Sequence, residues 1–374
     1  MGLDALTSRP QLCNCIHMNK RKLAMKNTED GSRSGPSHLP FPRKVAAIIR
    51  DMPLKRVQEK PPHELTQTLK RTFREVGDDF LADYAKIHSP LIKRFQEEFK
   101  GASVADAFEH VHKMQYEIMC NNSTFSATVP ILLERSSKNK PEVIGSGVLV
   151  RIVNRTFLLT AAHVTDKQKE GELLIPGEEG FMPITGRFAS TRLPPSGDRD
   201  DDKFDVAYCC LDHDCASTLD SSCMVLERQD VHLGTESDMR TVFTFAGFPW
   251  RKTNVAGGGV ETNSQTLSGG EAKKSEYESL GLTRSLHLAI RFRRRRAFHL
   301  RTRRVMMAGL PHGMSGGGVF AWTENALKAL PVRLPLIAIA NTYYPERSLL
   351  IATRLQVYVD CILHNLTDRA VLLP

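Results

Sequence analysis

No apolar run in these 374 residues reaches the roughly 20 residues that a membrane-spanning helix needs. The first residues, MGLDALTSRPQLCNC, lack the basic-then-apolar pattern of a secretory signal. A Met-Gly start resembles a myristoylation site, but Leu6 stands where Ser or Thr is wanted. The eight cysteines (Cys13, Cys15, Cys120, Cys209, Cys210, Cys215, Cys223 and Cys361) form no CxxC pair and keep no regular spacing. That argues against a zinc site or a disulfide framework. These absences set the expectation of free thiols in a cytoplasmic protein. No phosphate-cradling glycine loop, metal-ligand cluster or internal repeat can be read, so no cofactor and no metal are expected.

What is present fits a soluble globular chain: 41% hydrophobic and 25% charged residues leave enough to bury a core. The net charge of +9 is unevenly spread. Residues 1–60 are basic and residues 198–230 acidic, and residues 284–304 hold nine arginines and no acid. Such a basic patch attracts nucleic acid, an anionic surface or an acidic substrate. With only Phe292 and Phe298 interleaved, the favoured reading is a solvated rim, or pairing with the acidic stretch.

The chain divides by texture. Residues 1–62 read as a basic arm of low hydrophobicity. In 63–125, Leu65, Leu69, Phe73, Val76, Phe80, Tyr84 and Ile87 recur at helical spacing, as do Val104, Phe108, Val111 and Ile118. These stripes read as faces packed on the following domain, with recruitment of a protein partner as the rival. From 126 to 374 short strands dominate: two around the corner Val153-Asn154-Arg155, then 205–211, 241–247, 285–293, 317–322 and 335–341. Residues 254–276 read as a long Gly/Ser-rich loop, and TRLQVYVDCILHNL as a closing helix. The fold class expected is mainly β, a sandwich or barrel.

Three residues could carry chemistry. Ser315 in GMSGGGVF has glycines that let the backbone curl and aim the amides of Gly313 and Ser315 into one small space. His163 ends the apolar run FLLTAAH, where an imidazole could face a cleft and take the serine's proton. Asp205 opens DVAYCCL, at the mouth of a buried strand, where a carboxylate wants a partner. Its rivals Asp200, Asp201 and Asp202 look solvated. The order His, Asp, Ser, spaced by 42 and 110 residues, is more specific than any one of them.

Over about residues 126–366 these motifs resemble the chymotrypsin-like serine peptidases. The stretches carrying the likeness are GSGVLV, TAAH, DVAYCCL, FAGFP, GMSGGGVF and LIAIAN. They are most similar to the intracellular bacterial trypsin-like group and more distantly similar to the Deg/HtrA peptidase domain. The resemblance implies two six-stranded antiparallel β-barrels with the active site between them, preceded here by the helical region and closed by a C-terminal helix. It implies a polypeptide substrate, with His163 as base, Asp205 as orienting acid, Ser315 as nucleophile and the amides of Gly313 and Ser315 as oxyanion hole. Ala338, Ile339 and Ala340 would pair with substrate backbone. Gly309 would lie at the base of the specificity pocket and His312 at its mouth.

Two departures qualify the implication. Val164 replaces the cysteine that follows the histidine in secreted members, and Met314 replaces the aspartate before the serine. Activation by cutting a propeptide therefore has no partner group, and something else must hold the oxyanion turn open. The alternative is a protease-fold binding module, silent or waiting for a trigger.

Overall fold

A computed structural model describes Asn122–Ala370 apart from residues 138–139, 178–179, 235–241, 251–252, 257–258, 263, 300–303 and 323–332, together with Ser103, Asp106, Lys113, Tyr116 and Met119. The arm 1–62 and nearly all of the helical region 63–125 lie outside the described residues, and the expectation of a partner on those helices lies there too. Met119 is helical and buried against the core, its sulfur accepting from the Thr244 hydroxyl at 3.7 Å.

The first sheet is made by β1 (Thr128–Glu134), β2 (Glu142–Ile152), β3 (Arg155–Ala161), β4 (Glu172–Pro176), β5 (Phe181–Pro183), β6 (Gly186–Ser190) and β7 (Val206–Leu211). Its spatial order is β5-β4-β1-β2-β3-β7-β6, every neighbour antiparallel. The β2–β3 corner is a two-residue turn: Val153 and Asn154 both take positive φ (46° and 58°), the conformation that matches a tight hairpin to strand twist.

The second half is a closed antiparallel barrel in the order β11-β12-β17-β16-β15-β8. It is built by β8 (Phe243–Gly247), β11 (Gln265–Glu271), β12 (His287–Arg291), β15 (Gly318–Ala321), β16 (Leu336–Tyr344) and β17 (Leu349–Arg354). Two hairpins leave it, β9 (Thr253–Ala256) with β10 (Gly259–Thr262), and β13 (Ala297–His299) with β14 (Arg304–Met306). Beside short 3-10 turns, the described helices include α1 (Ala162–Thr165), α2 (His213–Ser222), α3 (Lys274–Ser279) and α4 (Leu355–Ala370). None is long and apolar enough to cross a membrane.

This is the mainly β, two-barrel architecture of the chymotrypsin type. One barrel differs from expectation: the first sheet has seven strands and curls without its edges bonding into a ring. The stretch 254–276 is also not a loop. It holds most of β9, all of β10 and β11 and the start of α3. Each of these strands carries a single branched aliphatic residue (Val255, Val260, Leu267), with Val255 opposite Val260 across the hairpin, too sparse a signal to stand out from the surrounding Gly and Ser. Helix α2 was not anticipated either. Its signal is the cap at Asp212, whose carboxylate accepts from the Cys215 amide at 2.9 Å.

The core has three main parts. Val129, Ile131, Leu149 and Leu158 fill the first sheet, and Phe245, Leu288, Met314 and Val319 the second barrel. A third cluster joins them through Phe157, Tyr208, Phe320 and Leu336, closed by Leu355, Tyr358 and Ile362 of α4. Those α4 residues recur at helical spacing, as the sequence indicated. Each fully buried large side chain contributes about 1.5–3 kcal/mol. Tyr358 is fully buried and donates to the Thr160 carbonyl at 2.8 Å, tying α4 to the strand that ends near His163. Burial pushes its hydroxyl well above the usual range, and the charge of Asp205 adds to the effect.

Tyr358→Phe keeps the packing and removes one bond to the Thr160 carbonyl, which still pairs with Ala207 across the sheet. It should cost about 0.5–1.5 kcal/mol in urea unfolding; an unchanged midpoint would show that the bond contributes nothing.

Candidate active site

His163 sits in α1, the short turn that follows β3. Its Nδ1 lies 2.6 Å from Asp205 Oδ2, and its backbone N–H donates to Asp205 Oδ1 at 2.9 Å. One carboxylate thus fixes both the ring and the peptide of the same histidine. Asp205 is 3% exposed, whereas the His163 side chain is 37% exposed. The buried acid faces an imidazole that reaches solvent.

Holding Asp205 there takes a strained backbone. Its φ is +46°, the left-handed region that Asp tolerates better than most residues. Its own carbonyl accepts from Ala162 N–H at 3.0 Å. The preceding carbonyl, of Phe204, is gripped from the other barrel: Asn341 Nδ2 donates to it at 2.7 Å and the Thr353 hydroxyl at 2.6 Å. Asn341 and Thr353 are also bonded to each other, at 2.9 Å and 3.2 Å, and both are buried. On the near side, Asp202 Oδ1 accepts from Phe204 N–H at 3.1 Å.

Asp202 therefore corrects the sequence reading. It is not a solvated loop acid. It takes bonds from Thr191 and Arg199 and anchors the turn ahead of Asp205. Burial opposes its charge, but the Thr191 hydroxyl, the backbone and Arg199 together hold its carboxyl below the usual range.

Ser315 lies on the turn entering β15. Its hydroxyl donates to the Asn341 carbonyl at 2.9 Å, and no hydrogen bond joins it to His163. The backbone brings it to the histidine's hairpin all the same. Ser315 O accepts from Ser146 N–H at 2.7 Å, Ser146 being on β2. Gly316 has φ +83°, and a Cβ there would stand 2.0 Å from Ser146 O and 2.2 Å from Thr160 Oγ1. Only glycine fits that approach.

The turn before the serine is held by groups that the sequence did not single out. The His312 carbonyl accepts from Trp250 N–H at 3.0 Å. Because a trans peptide points its C=O and N–H in opposite directions, the Gly313 N–H faces the other way. Gly313 has φ +87°, and its carbonyl accepts from the Ser146 hydroxyl at 3.0 Å, which in turn accepts from Phe248 N–H at 2.9 Å. Among the described residues, neither the Gly313 nor the Ser315 amide has an acceptor. Met314 is fully buried in the second barrel, so apolar packing stands where the resemblance led one to look for an aspartate. The signals in sequence were the serine inside GSGVLV and the polar Asn341 closing the apolar LIAIAN.

The candidate substrate strand needs correction. Ala338, Ile339 and Ala340 are buried, and their backbone groups are already used, by β15 on one side and β17 on the other. They cannot receive another strand. Among the described residues, no strand lies on the β15 side of β16 beyond Ala340, along Asn341–Tyr344. Gly309 and His312 are both exposed. Beside Gly309 lies Gln265, 1% exposed with neither side-chain polar atom bonded. Among the described residues, Arg284 and Arg291 pair with Glu271 and Glu276 and not with the acids of 198–230.

No family model and no curated protein matches the chain. Solved structures do. A Glu endopeptidase in complex with MPD is 11% identical, covering 66% of this chain and 93% of its own, with a TM-score of 0.38. The serine endoprotease from Yersinia pestis is 12% identical over 66% of this chain and 65% of its own, at 0.39. Neuropsin, a serine protease of mouse brain, is 12% identical over 66% and 97%, at 0.41. Likenesses this distant carry no functional argument; the fold rests on the strand order, and the chemistry on the site itself.

Two outcomes are expected. Ser146→Ala should strand Phe248 N–H and Gly313 O, costing about 1–3 kcal/mol in urea unfolding; a cost under a few tenths would mean that the hydroxyl does not hold the turn. The second concerns His287, buried and stacked on Phe204 at 5.2 Å, with Nε2 unbonded. Burial lowers its pKa below the ordinary value of 6.5. Below that pH the unfolded chain takes up a proton that the native ring resists, so stability should fall as pH drops through 6.5. His287→Phe should flatten that slope, and an unaltered slope would refute the assignment.

Proposed function

We propose that the chain is a serine endopeptidase. The observation that carries this reading is the 2.6 Å pair of exposed His163 with buried Asp205, set on the hairpin against which the Ser315 turn is packed. Rotation about one side-chain bond of Ser315 moves its hydroxyl off the Asn341 carbonyl, and such bonds are commonly loose before substrate binds. His163 then takes the proton at Nε2 while Ser315 Oγ attacks the peptide carbonyl, with Asp205 holding Nδ1–H and the imidazolium that forms. The oxyanion is received by the amides of Gly313 and Ser315. The imidazolium returns its proton to the leaving amine, and water releases the acyl group by the same steps.

The outward-bonded His312 carbonyl supports a turn already set for this chemistry, so the alternative of a silent module gains nothing from it. The buried Met314 supports an enzyme that needs no zymogen cleavage. Among the described residues, the free thiols of Cys209, Cys210, Cys215 and Cys361 accord with a cytoplasmic setting.

The test is covalent labelling by a fluorophosphonate probe. Wild type should label, and Ser315→Ala and His163→Ala should not. Asp205→Asn should slow labelling on the order of 10³–10⁴-fold by fixing the wrong tautomer. A folded wild type that does not label, or an Asp205→Asn protein that labels at the wild-type rate, overturns the assignment.

A further inference from the structure

Arg293, Arg294 and Arg295 take no part in the chemistry just described. Their neighbours Arg284 and Arg291 are neutralised by Glu271 and Glu276, at 2.6 Å and 2.8 Å. These three have no carboxylate partner among the described residues. Arg294 Nη2 reaches only the Met307 sulfur, at 3.1 Å. Together with Tyr343, Glu346 and Ser348 they line an open cleft of about 520 Å³. Three guanidiniums face one carboxylate there, and like charges gathered in one cleft favour an anion between them. The planar fork of a guanidinium matches a carboxylate in two parallel bonds.

The cleft is placed by β16. Tyr343 stands two residues beyond Asn341, whose carbonyl receives the Ser315 hydroxyl. From Thr342 to Tyr344 this strand pairs with β17 on one side, while β15 has ended on the other. A polypeptide added antiparallel along that edge runs toward Ser315, so the residues beside Tyr343 precede the bond to be cut. At about 3.4 Å per residue the cleft begins roughly 7–10 Å upstream of it.

We infer that this cleft is a subsite for acidic side chains two to four residues before the scissile bond, making the substrate a polypeptide with Asp or Glu in that stretch. The inference rests on the peptidase reading and names the substrate class for it. It also gives the arginine run a role that pairing within the chain does not.

The experiment uses the full chain carrying Ser315→Ala, so that binding is read without hydrolysis. Two fluorescein-labelled decapeptides, identical except for three adjacent Glu or three adjacent Gln, are titrated by anisotropy beside a labelled single-stranded oligonucleotide of equal charge. The Glu peptide should bind at least about tenfold tighter than the Gln peptide at low salt, with the gap narrowing as salt rises. Adding Arg293→Gln, Arg294→Gln and Arg295→Gln should erase the gap. On an otherwise wild-type chain, the same three changes should leave fluorophosphonate labelling intact, which reports the fold. Equal binding of the two peptides, a gap that survives the three substitutions, or tighter binding of the oligonucleotide each overturns the inference. Failure of the wild type to label, with the Glu preference intact, removes the hydrolysis and leaves the cleft. Labelling without the preference removes only the cleft.

Discussion

At Gly316 the second barrel lies so close on the first that one added carbon would stand 2.0 Å from the Ser146 carbonyl oxygen. The candidate site depends on that approach. It lets Ser315 O take the Ser146 amide, sets the Ser146 hydroxyl under Gly313, and brings the serine to the hairpin that ends in His163. Side-chain packing then reinforces the junction from behind through Phe157, Phe320 and Tyr358. The energy is mostly apolar burial, while the geometry is set by a few hydrogen bonds to main-chain groups, from both backbone and side chains.

Electrostatics follows the same division. The first sheet supplies a buried acid and an exposed base, and the second barrel supplies the donors that fix the backbone of that acid. Asp205 adopts a left-handed conformation that would cost on the order of 1 kcal/mol in isolation. It persists because Asn341, Thr353, Asp202 and Ala162 together satisfy the peptide groups on either side of it. This is strain carried by hydrogen bonds, at a place where orientation matters more than stability.

Much of this was legible in the sequence, for physical reasons. A histidine ending an apolar strand, an aspartate opening one and a serine among glycines are local signals, and local backbone demands can be read residue by residue. Asn341, Thr353 and Ser146 were not legible as a group, because each acts on a carbonyl or amide more than a hundred residues away. Asp202 looked like its solvated neighbours until Arg199 and Thr191 closed over it. Ala338–Ala340 were misplaced because a strand's sequence does not say which stretch of its edge is free. The hairpin at 253–262 was hidden by glycines that read as loop but flank strands.

The grip of Asn341 and Thr353 on the Phe204 carbonyl has a bearing on the chain's life before it is fully folded. During synthesis the first sheet is complete long before β16 and β17 have left the ribosome, so Asp205 has by then no donors on the peptide that precedes it. A half-made chain, or one whose barrels have parted, carries histidine and aspartate without the lock that fixes their geometry. On the proposed peptidase reading, the site's geometry is complete only once the last strands are in place, and parting the two barrels undoes it.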